Sequence, residues 1–291
     1  MFQYAFMRNL QAAFSAVDVC ADLSDYRIQD YHYGLELGRI FHLKIQEALD
    51  DDITRLSNRH PWKYGRNAWR IYRIINKLLG GKEVFGGNDS GDKPSTYYVQ
   101  KPYDTWKDIS SIAASSDWYF DGWWQNEQFF CDVNEQISKV FSFKEADYAA
   151  MKTIILEMQE ANSVSVHIRR GDYVGTSFDC LPENYYEEAI EYISRKVETP
   201  FFYFFSEDHN YVEKRFAYLL NKRIVTANSG AYSYRDLLLM TCCKHNIIAN
   251  SSFSYWGAHL NKNEKKIVVA PRRLNIQGSW PVPADKGWIQ L

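Results

Sequence analysis

The chain has 291 residues, of which 46% are hydrophobic and 24% are charged, and its net charge is −2. This length and hydrophobic content are sufficient for one large globular domain or two domains of ordinary size. The near-neutral charge argues against a nucleic-acid-binding protein, because such proteins gather positive charge on one face.

The cysteine pattern and the hydropathy of the chain bear on its compartment. The five cysteines are odd in number, two of them are adjacent, and none forms a Cys-x-x-Cys pair. This pattern favours buried thiols in a reducing compartment over a disulfide framework or a zinc site. The N-terminus has no basic region followed by an apolar run, and no segment approaches the length of a membrane span. We therefore expect a cytoplasmic protein.

The first third of the chain has a mainly helical pattern. Apolar residues at helical spacing predict a helix over residues 2–14, and residues 17–23 then predict a strand. Residues 36–77 are mostly helical in pattern, and their clearest amphipathic stretch is at residues 68–79. Residues 80–95 are rich in Gly, Asp and Ser, which is typical of a mobile loop.

An aromatic segment follows at residues 117–127, with the sequence Asp-Trp-Tyr-Phe-Asp-Gly-Trp-Trp-Gln-Asn-Glu. Its aromatic residues do not keep a helical period and Gly122 interrupts them, which predicts an edge strand or a loop. Flat aromatic faces and amide side chains suit a bound sugar. Packing between two domains explains the same residues equally well.

Strands and helices alternate regularly from residue 145 onward. A helix is predicted over residues 145–162. Strands are then predicted at residues 164–168, 201–205, 223–226, 246–249 and 266–270, and helices at residues 183–197, 211–220, 235–243 and 253–260. Such alternation specifies an α/β fold with a parallel, doubly wound sheet. Ligands of these folds bind beyond the carboxyl ends of the strands.

The first of these strands ends in a cluster of charged residues. His167 lies at its end, and Arg169, Arg170, Gly171 and Asp172 follow. Guanidinium groups match phosphate oxygens and stay charged at any working pH. The glycine allows a tight backbone reversal, and the aspartate can hold one guanidinium in place. A turn with a surface ion pair explains the same residues without a ligand.

Two further strand ends carry polar residues, which are Ser206, Glu207 and Asp208 after the second strand and Asn250, Ser251, Ser252 and Phe253 after the fourth. In the latter segment a serine at the N-cap leads into a helix, whose free amides and dipole favour an anion. Capping alone also explains this serine. If the three strand ends face one crevice, they form a diphosphate site that requires no metal.

Residues 167–173 have the sequence His-Ile-Arg-Arg-Gly-Asp-Tyr and come at the end of an apolar strand. This segment resembles the donor-site motif of the alpha-1,2-fucosyltransferases, glycosyltransferase family 11. The resemblance extends, in family order, to residues 1–5, 122–125, 205–208 and 245–258. It implies a GT-B-like fold, that is, an α/β protein with two Rossmann-like halves and a donor cleft between them.

This resemblance also implies a domain organisation. Residues 1–144 are expected to form an acceptor-side α/β domain, residues 145–275 a Rossmann-like domain that binds the GDP-sugar, and residues 276–291 a C-terminal tail. Family members open with a strand and a Gly-x-Gly-Asn-Gln loop directly before Met-Phe-Gln-Tyr-Ala, where this chain begins. The first domain is therefore expected to be incomplete at its N-terminus. The lack of the anchor found in Golgi members points to a bacterial enzyme, cytoplasmic or peripheral at the inner face of the membrane, or to a shortened form of a longer protein.

The activity implied by the resemblance is an inverting transfer of L-fucose from GDP-β-L-fucose to a galactose hydroxyl, in alpha-1,2 linkage, on a surface glycan or oligosaccharide. It implies no metal and no other cofactor, and the expected partners are the donor and a galactose-terminated acceptor, without nucleic acid. Catalytic roles are expected for Arg170, Arg169, His167 and Asp172. Donor binding is expected of Asp236, Asn250, Ser251, Ser252, Phe253, Ser206 and Glu207.

Two of these roles follow from the motif positions. Arg170, supported by Arg169, would neutralise the departing diphosphate. Asp236 lies at an interval before the Ser-Ser-Phe segment similar to that of the guanine-binding Asp in the related protein O-fucosyltransferases, and it would bind guanine. A first-turn Asp favoured by the helix dipole is the alternative. The residue that deprotonates the acceptor is not assigned, and its candidates are Asp172, Asp121 and Glu207.

Two other functions stay open. A catalytically impaired protein that binds a nucleotide or a glycan fits the missing N-terminal loop. A metal-dependent glycosyltransferase that uses another nucleotide sugar fits the Asp-x-Asp spacing of Asp50 and Asp52, although their helical context favours a solvated helix end. The sequence predicts no particular oligomeric state.

Overall fold

The structure is a computed structural model, and it describes residues 1–28, 34–58, 94–278 and 280–291. The amphipathic helix predicted at residues 68–79 and nearly all of the loop predicted at residues 80–95 lie outside the described residues. None of the described helices combines the length and the apolar character that are needed to cross a membrane.

The chain divides into two compact units. Unit 1 consists of Met1–Trp124 and Gln128–Ile137, and unit 2 consists of Gln125–Glu127 and Ser138–Leu291.

The described part of unit 1 contains helices and one small parallel sheet. Its helices are α1 (Phe2–Ala13), α2 (Ser24–Ile28), α3 (Leu37–Phe41), α4 (Asp50–Ser57) and α5 (Trp106–Ala113), and α6 (Asn134–Val140) crosses the boundary to unit 2. The strands β1 (Tyr97–Val99) and β2 (Tyr119–Asp121) pair in parallel. The helix predicted at residues 2–14 is thus confirmed, within one residue at its C-terminal end.

The strand predicted at residues 17–23 is wrong. Among the described residues only Ala21 pairs there, in a single parallel bridge with Glu47. The amide of Ala21 donates to Gln46 O at 2.8 Å, and Ala21 O accepts from the amide of Ala48 at 2.9 Å. An alternating pattern becomes a strand only when a neighbouring strand supplies a ladder, and here the pairing stops after one residue.

Aromatic side chains form the core of unit 1. Phe6 of α1 stacks on Trp124 with ring centroids 4.0 Å apart and an interplanar angle of 14°. The ring of Trp124 also meets Phe129 edge to face at a centroid distance of 5.2 Å, and Leu10 and Ile109 are buried in the same cluster. The aromatic segment at residues 117–127 therefore contributes core packing through β2 and the turn that follows it.

Unit 2 contains the predicted alternation of strands and helices. Its described helices are α7 (Glu145–Ala150), α8 (Lys152–Glu160), α9 (Tyr185–Ser194), α10 (His209–Arg215), α11 (Tyr234–Cys242) and α12 (Ser252–His259). Its strands are β3 (Asn162–His167), β4 (Pro200–Phe205), β5 (Lys222–Ile224), β6 (His245–Ile247), β7 (Val268–Ala270) and β8 (Ile289–Gln290). The single helix predicted over residues 145–162 is wrong in one respect, because Met151, with φ of −103° and ψ of 10°, divides it in two.

The six strands form one parallel sheet in the order β5-β4-β3-β6-β7-β8, which confirms the α/β class. From β3 the chain first builds outward through β4 and β5, and it then returns to the other side of β3 to add β6, β7 and β8. The strand order therefore reverses between β3 and β6. In doubly wound sheets, ligands bind at the carboxyl ends of the strands at such a reversal. The sixth strand was not predicted and lies within the segment expected to be a tail.

Apolar side chains cover both faces of this sheet. Along β4, Phe202 and Phe204 pack with α9 and α10, whereas Tyr203 and Phe205 pack with α8 and α11. Successive side chains of a strand point to opposite faces, so a strand between two helical layers is apolar at every position. This burial accounts for a share of the high aromatic content without any ligand.

Candidate functional site

The reversal point of the sheet brings the predicted strand ends together. Because β3 and β6 are neighbours, the residues after His167 and those after Ile247 leave the sheet at the same edge. The rings of His167 and Phe253 have centroids 5.7 Å apart, and Tyr173 Oη donates to Asn250 O at 3.4 Å. The end of β4 lies on the other side of β3. We name these three segments, residues 167–173, 206–208 and 250–253, the carboxyl edge.

Arg169 is held by carboxylates from two different loops. Its Nη2 lies 2.8 Å from Asp172 Oδ1, and its Nη1 donates to Glu207, which follows β4. Its guanidinium carbon lies 5.5 Å from the ring centroid of Tyr173. The expected ion pair with Asp172 is present, and the bond to Glu207 ties the ends of β3 and β4 together.

Arg170 makes a different set of contacts. Its Nε donates to Asp208 Oδ2 at 3.1 Å, and its guanidinium carbon lies 3.9 Å from the ring centroid of Tyr211 on α10. Asp208 accepts a hydrogen bond from the amide of Tyr211 at 3.0 Å, and this bond, together with Arg170, lowers the pKa of Asp208. The sequence placed Asp208 among the polar residues after the second strand but gave it no role of its own, and it gave Tyr211 none. The signal for the structural role of Asp208 is its place as the N-cap of a helix directly after a strand.

The carboxyl edge nearly balances its own charge. Two guanidinium groups, those of Arg169 and Arg170, face the carboxylates of Asp172, Glu207 and Asp208. Between 41% and 54% of each carboxylate side chain is exposed to solvent. Ion pairs of this kind are weak because water and salt screen them. Phosphate oxygens can therefore take the place of the carboxylates on either arginine.

His167 is neutral at physiological pH. Its side chain is buried, and burial, reinforced by the nearby charge of Arg169, lowers its pKa to about 3. Its Nδ1 is buried and has no hydrogen-bond partner among the described residues. His167 therefore cannot offset negative charge on a ligand, although a neutral imidazole can still donate or accept one hydrogen bond.

The segment after β6 combines a tether with a helix cap. Asn250 is buried, and its Nδ2 donates to Phe178 O and to Leu274 O, each at 2.8 Å. Ser251 caps α12 by accepting a bond from the amide of Phe253 at 3.3 Å. Ser252, the first residue of α12, is exposed. Asn250 thus uses its amide within the protein, whereas Ser252 and the first amides of α12 form the side of this segment that an anion could reach.

Two more of the predicted residues, Ser206 and Asp236, lie in unit 2. Ser206 Oγ accepts from the amide of Asp208 at 3.2 Å, so it shapes the turn after β4. Asp236 lies in the first turn of α11, where burial raises its pKa to about 7. Asn228 Nδ2 donates to Asp236 Oδ1 at 2.8 Å and opposes this shift, whereas the charge of Glu207 adds to it. The influence of Glu207 shows that Asp236 lies within electrostatic reach of the carboxyl edge.

The remaining carboxylate candidates lie in unit 1. Asp121 ends β2 and accepts a hydrogen bond from Tyr97 Oη. Asp50 and Asp52 lie in the first turn of α4, and Asp52 pairs with Arg55 at 3.0 Å, as expected of a solvated helix end. Within the described ranges, no group of three or more His, Cys, Asp and Glu side chains is arranged to hold a metal ion.

A doubly wound parallel sheet with guanidinium groups and a capped helix N-terminus at its reversal point is typical of α/β proteins that bind nucleotide phosphates. The chain belongs to glycosyltransferase family 11, whose family model matches residues 96–277. The resemblance inferred from the motifs at residues 122–125, 167–173, 205–208 and 245–258 is thereby confirmed.

Individual relatives match parts of the chain. It is 44% identical over 150 residues to the O-antigen biosynthesis glycosyltransferase WbnK of Escherichia coli, which covers 50% of this chain and 49% of the relative. It is 35% identical over 183 residues to an alpha-1,2-colitosyltransferase of Escherichia coli, covering 59% and 62%. It is 31% identical over 107 residues to the galactoside 2-alpha-L-fucosyltransferase SEC1 of Bos taurus, covering 33% and 28%. The chain thus matches about half of the first relative's length and about three fifths of the second's.

One solved structure shows a slight overall likeness. It is the crystal structure of NodZ alpha-1,6-fucosyltransferase soaked with GDP-fucose, with a TM-score of 0.42 and 12% sequence identity. The match covers 88% of this chain and 87% of that chain.

Proposed function

We propose that this chain is a glycosyltransferase that moves L-fucose from GDP-fucose to a galactose hydroxyl in alpha-1,2 linkage. Membership in glycosyltransferase family 11 and the names of relatives such as the galactoside 2-alpha-L-fucosyltransferase support this proposal. The observation that carries it is the carboxyl edge, where two arginines and the N-terminus of α12 follow neighbouring strands at the same edge of the sheet. A GT-B-like layout with a donor cleft belongs to the same proposal and is supported by the family.

The arginines would act on the leaving group. When the bond from the sugar to GDP breaks, negative charge develops on the diphosphate, and fixed positive groups lower the energy of that state. Arg170 would supply its two terminal nitrogens, which have no hydrogen-bond partner among the described residues, and Arg169 would exchange an exposed carboxylate for a phosphate oxygen. Asp172 would then restrain Arg169 in the orientation that the diphosphate requires.

The start of α12 would hold the phosphates from the other side. The hydroxyls of Ser251 and Ser252 lie at a helix N-terminus, where the dipole favours an anion, and the amide of Phe253 would exchange its bond to Ser251 Oγ for a phosphate oxygen. His167, which is neutral and packs near Phe253, would contribute a hydrogen bond or position that ring rather than a charge. Asn250 would hold the segment in place through its two bonds to loop carbonyls.

The base of the nucleotide would be recognised by Asp236. A carboxylate accepts two hydrogen bonds at once, which matches the ring N–H and the amino group of guanine. Burial raises the pKa of Asp236 to about 7, so a part of the free protein carries a proton on this group near neutral pH. Bound guanine would donate hydrogen bonds to the charged carboxylate, and these bonds would lower its pKa. Ser206 and Glu207 would complete the donor side by shaping the turn after β4.

The reaction would be an inverting displacement at the anomeric carbon, in which the acceptor hydroxyl attacks as GDP leaves. Its base would be one of Asp172, Asp121 and Glu207. No metal is required in this scheme, since the arginines and the helix N-terminus take over the stabilisation of the diphosphate.

The direct experiment is to incubate the purified protein with GDP-fucose and a galactose-terminated oligosaccharide, and to measure GDP release together with the fucosylated product. Product formation that is insensitive to a chelator is expected. Binding of GDP-fucose without GDP release would instead identify a catalytically impaired binding protein. Loss of activity with the chelator, restored by a divalent cation, would favour the metal-dependent alternative. Other GDP-sugars belong in the same screen, because one relative is named a colitosyltransferase.

A further inference from the structure

The turn after β2 exposes a tryptophan. The side chain of Trp123 is 65% exposed, whereas its neighbour Trp124 is 2% exposed and lies in the core of unit 1. Within the described residues, the indole of Trp123 makes no ring contact and no hydrogen bond. A single exposed apolar side chain is common on protein surfaces and needs no explanation by itself. The turn that carries this one, however, is held in an unusual way.

The backbone on both sides of the indole is fixed by a buried amide. Gln100 is buried, and its Oε1 accepts hydrogen bonds from the amides of Trp123 at 2.9 Å and Trp124 at 2.8 Å. Gln3 Nε2 donates to Gly122 O at 3.2 Å and holds the preceding residue. These bonds fix the backbone of the turn and therefore the direction in which the side chain of Trp123 leaves it.

The same turn is strained. Trp124 has a φ of +54°, in the left-handed region that side chains other than glycine rarely adopt. A Cβ placed on Gly122 would lie 2.6 Å from Gln100 Cβ and 2.8 Å from Trp124 Cε2, so only glycine fits there. Anchoring Trp124 in the core does not require an aromatic residue at the exposed position before it, where a polar side chain would be more soluble. Strained turns that present a side chain to solvent are frequent at binding sites.

Groups suited to a sugar lie at the same edge of the small sheet. β1 and β2 are parallel, with Val99 opposite Asp121, so their carboxyl ends lie together. Asp121 directly precedes the strained turn and is exposed, and Tyr103, which is 81% exposed, follows β1. An aromatic face can cover the apolar face of a pyranose, while a carboxylate accepts bonds from its hydroxyls.

We propose that Trp123 is a stacking surface for a galactose-terminated glycan, and that Asp121 accepts hydrogen bonds from the hydroxyls of the stacked ring. This inference rests on the proposed function, because it assigns the acceptor of that reaction to a place on unit 1. It requires that substitution of Trp123 weaken the binding of the acceptor and leave the binding of the donor unchanged. The donor groups described above, from Arg169 to Phe253, all lie in unit 2.

The test compares Trp123→Ala and Trp123→Phe with the control Tyr218→Ala, which removes a comparably exposed aromatic from unit 2. Steady-state kinetics give the KM for methyl β-lactoside and, separately, the rate at which GDP-fucose is hydrolysed without acceptor. Saturation-transfer NMR measures binding of the same disaccharide independently of turnover. Thermal melting confirms that each variant is folded.

We expect Trp123→Ala to raise the acceptor KM by about threefold to tenfold, in line with the loss of one aromatic contact. Donor hydrolysis should not change, and Trp123→Phe should keep most of the affinity. An acceptor KM unchanged in Trp123→Ala, or one raised equally by Tyr218→Ala, would overturn the inference. If the protein transfers no sugar at all, the proposed function fails, but loss of the NMR signal in Trp123→Ala alone would still support the glycan site and its retention would still refute it.

Discussion

Replacement of Arg170 by alanine separates the function of the carboxyl edge from its stability. The structural loss is small: one hydrogen bond to the exposed carboxylate of Asp208 and the contact with the Tyr211 ring at 3.9 Å. A cation–π contact at an exposed site contributes about 0.5–1 kcal/mol, so the melting temperature should fall by no more than about 2–4 °C. Removal of one fixed donor to a developing anion lowers kcat by about 10²- to 10³-fold, or about 2.7–4 kcal/mol. The functional loss should therefore exceed the loss of stability severalfold.

The assay is kcat/KM for GDP-fucose at saturating galactoside, measured beside a thermal melt. Arg195→Ala is the matched control, because Arg195 lies on the surface at the end of α9 and pairs only with Glu191 in the described structure. It should leave kcat/KM unchanged. Arg170→Lys should recover part of the activity, since it restores the charge without the two-pronged guanidinium.

The result that would refute this reasoning is a folded Arg170→Ala protein whose kcat/KM falls less than about fivefold, because the arginine would then not face the leaving group. A fall matched by Arg195→Ala would be equally damaging, since it would point to a general charge effect.

Three further predictions concern other groups. The affinity for GDP, measured by calorimetry, should fall as the pH drops through about 7, because the pKa of Asp236 is raised to about 7 and its protonation removes one of the two acceptors for guanine. The Asp236→Asn variant should bind GDP weakly at every pH. A wild-type affinity that is constant from pH 6 to 8 would exclude this role. Asn250→Ala should lower the free energy of unfolding by about 2–4 kcal/mol in urea titrations, because it leaves two carbonyls unpaired. Gly122→Ala should cost about 1–3 kcal/mol in the same titrations, because its methyl group would lie 2.6 Å from a buried side chain; an unchanged midpoint would show that the turn can relax.

The sheet of unit 2 was predictable because its strands are buried on both faces. β3, β4, β6 and β7 are short, mostly buried runs, whereas the edge strand β5 is only partly buried. The helices between them keep a helical period. β8 was not predictable, since Ile289–Gln290 is too short to have a pattern and exists only through its pairing with β7. The same dependence on a partner explains the error at residues 17–23, where the pattern is present but the described part of the chain supplies only a single bridge.

The carboxyl edge was predictable in its residues but not in its contacts. The positions of Arg169 and Arg170 after a strand were visible in the sequence, and the strand order then decided which loops lie beside them. Which carboxylate pairs with which arginine depends on loop geometry, so the pairing of Asp208 with Arg170 was not predicted, although Asp208 was named together with Glu207. Asn250 shows the opposite case, because its polar side chain satisfies carbonyls within the fold.

The pairing of both arginines with internal carboxylates has a consequence for which anions the protein accepts. An incoming anion has to displace a carboxylate of the protein from the arginine, so a chloride or a lone phosphate gains little binding free energy from either guanidinium. Two phosphoryl groups joined by one oxygen perform the second exchange intramolecularly, at a high effective concentration. Under the proposed function, such a site would respond to the connection between two phosphates more than to charge alone, and it would in this way distinguish a GDP-sugar from the abundant simple anions of a cell.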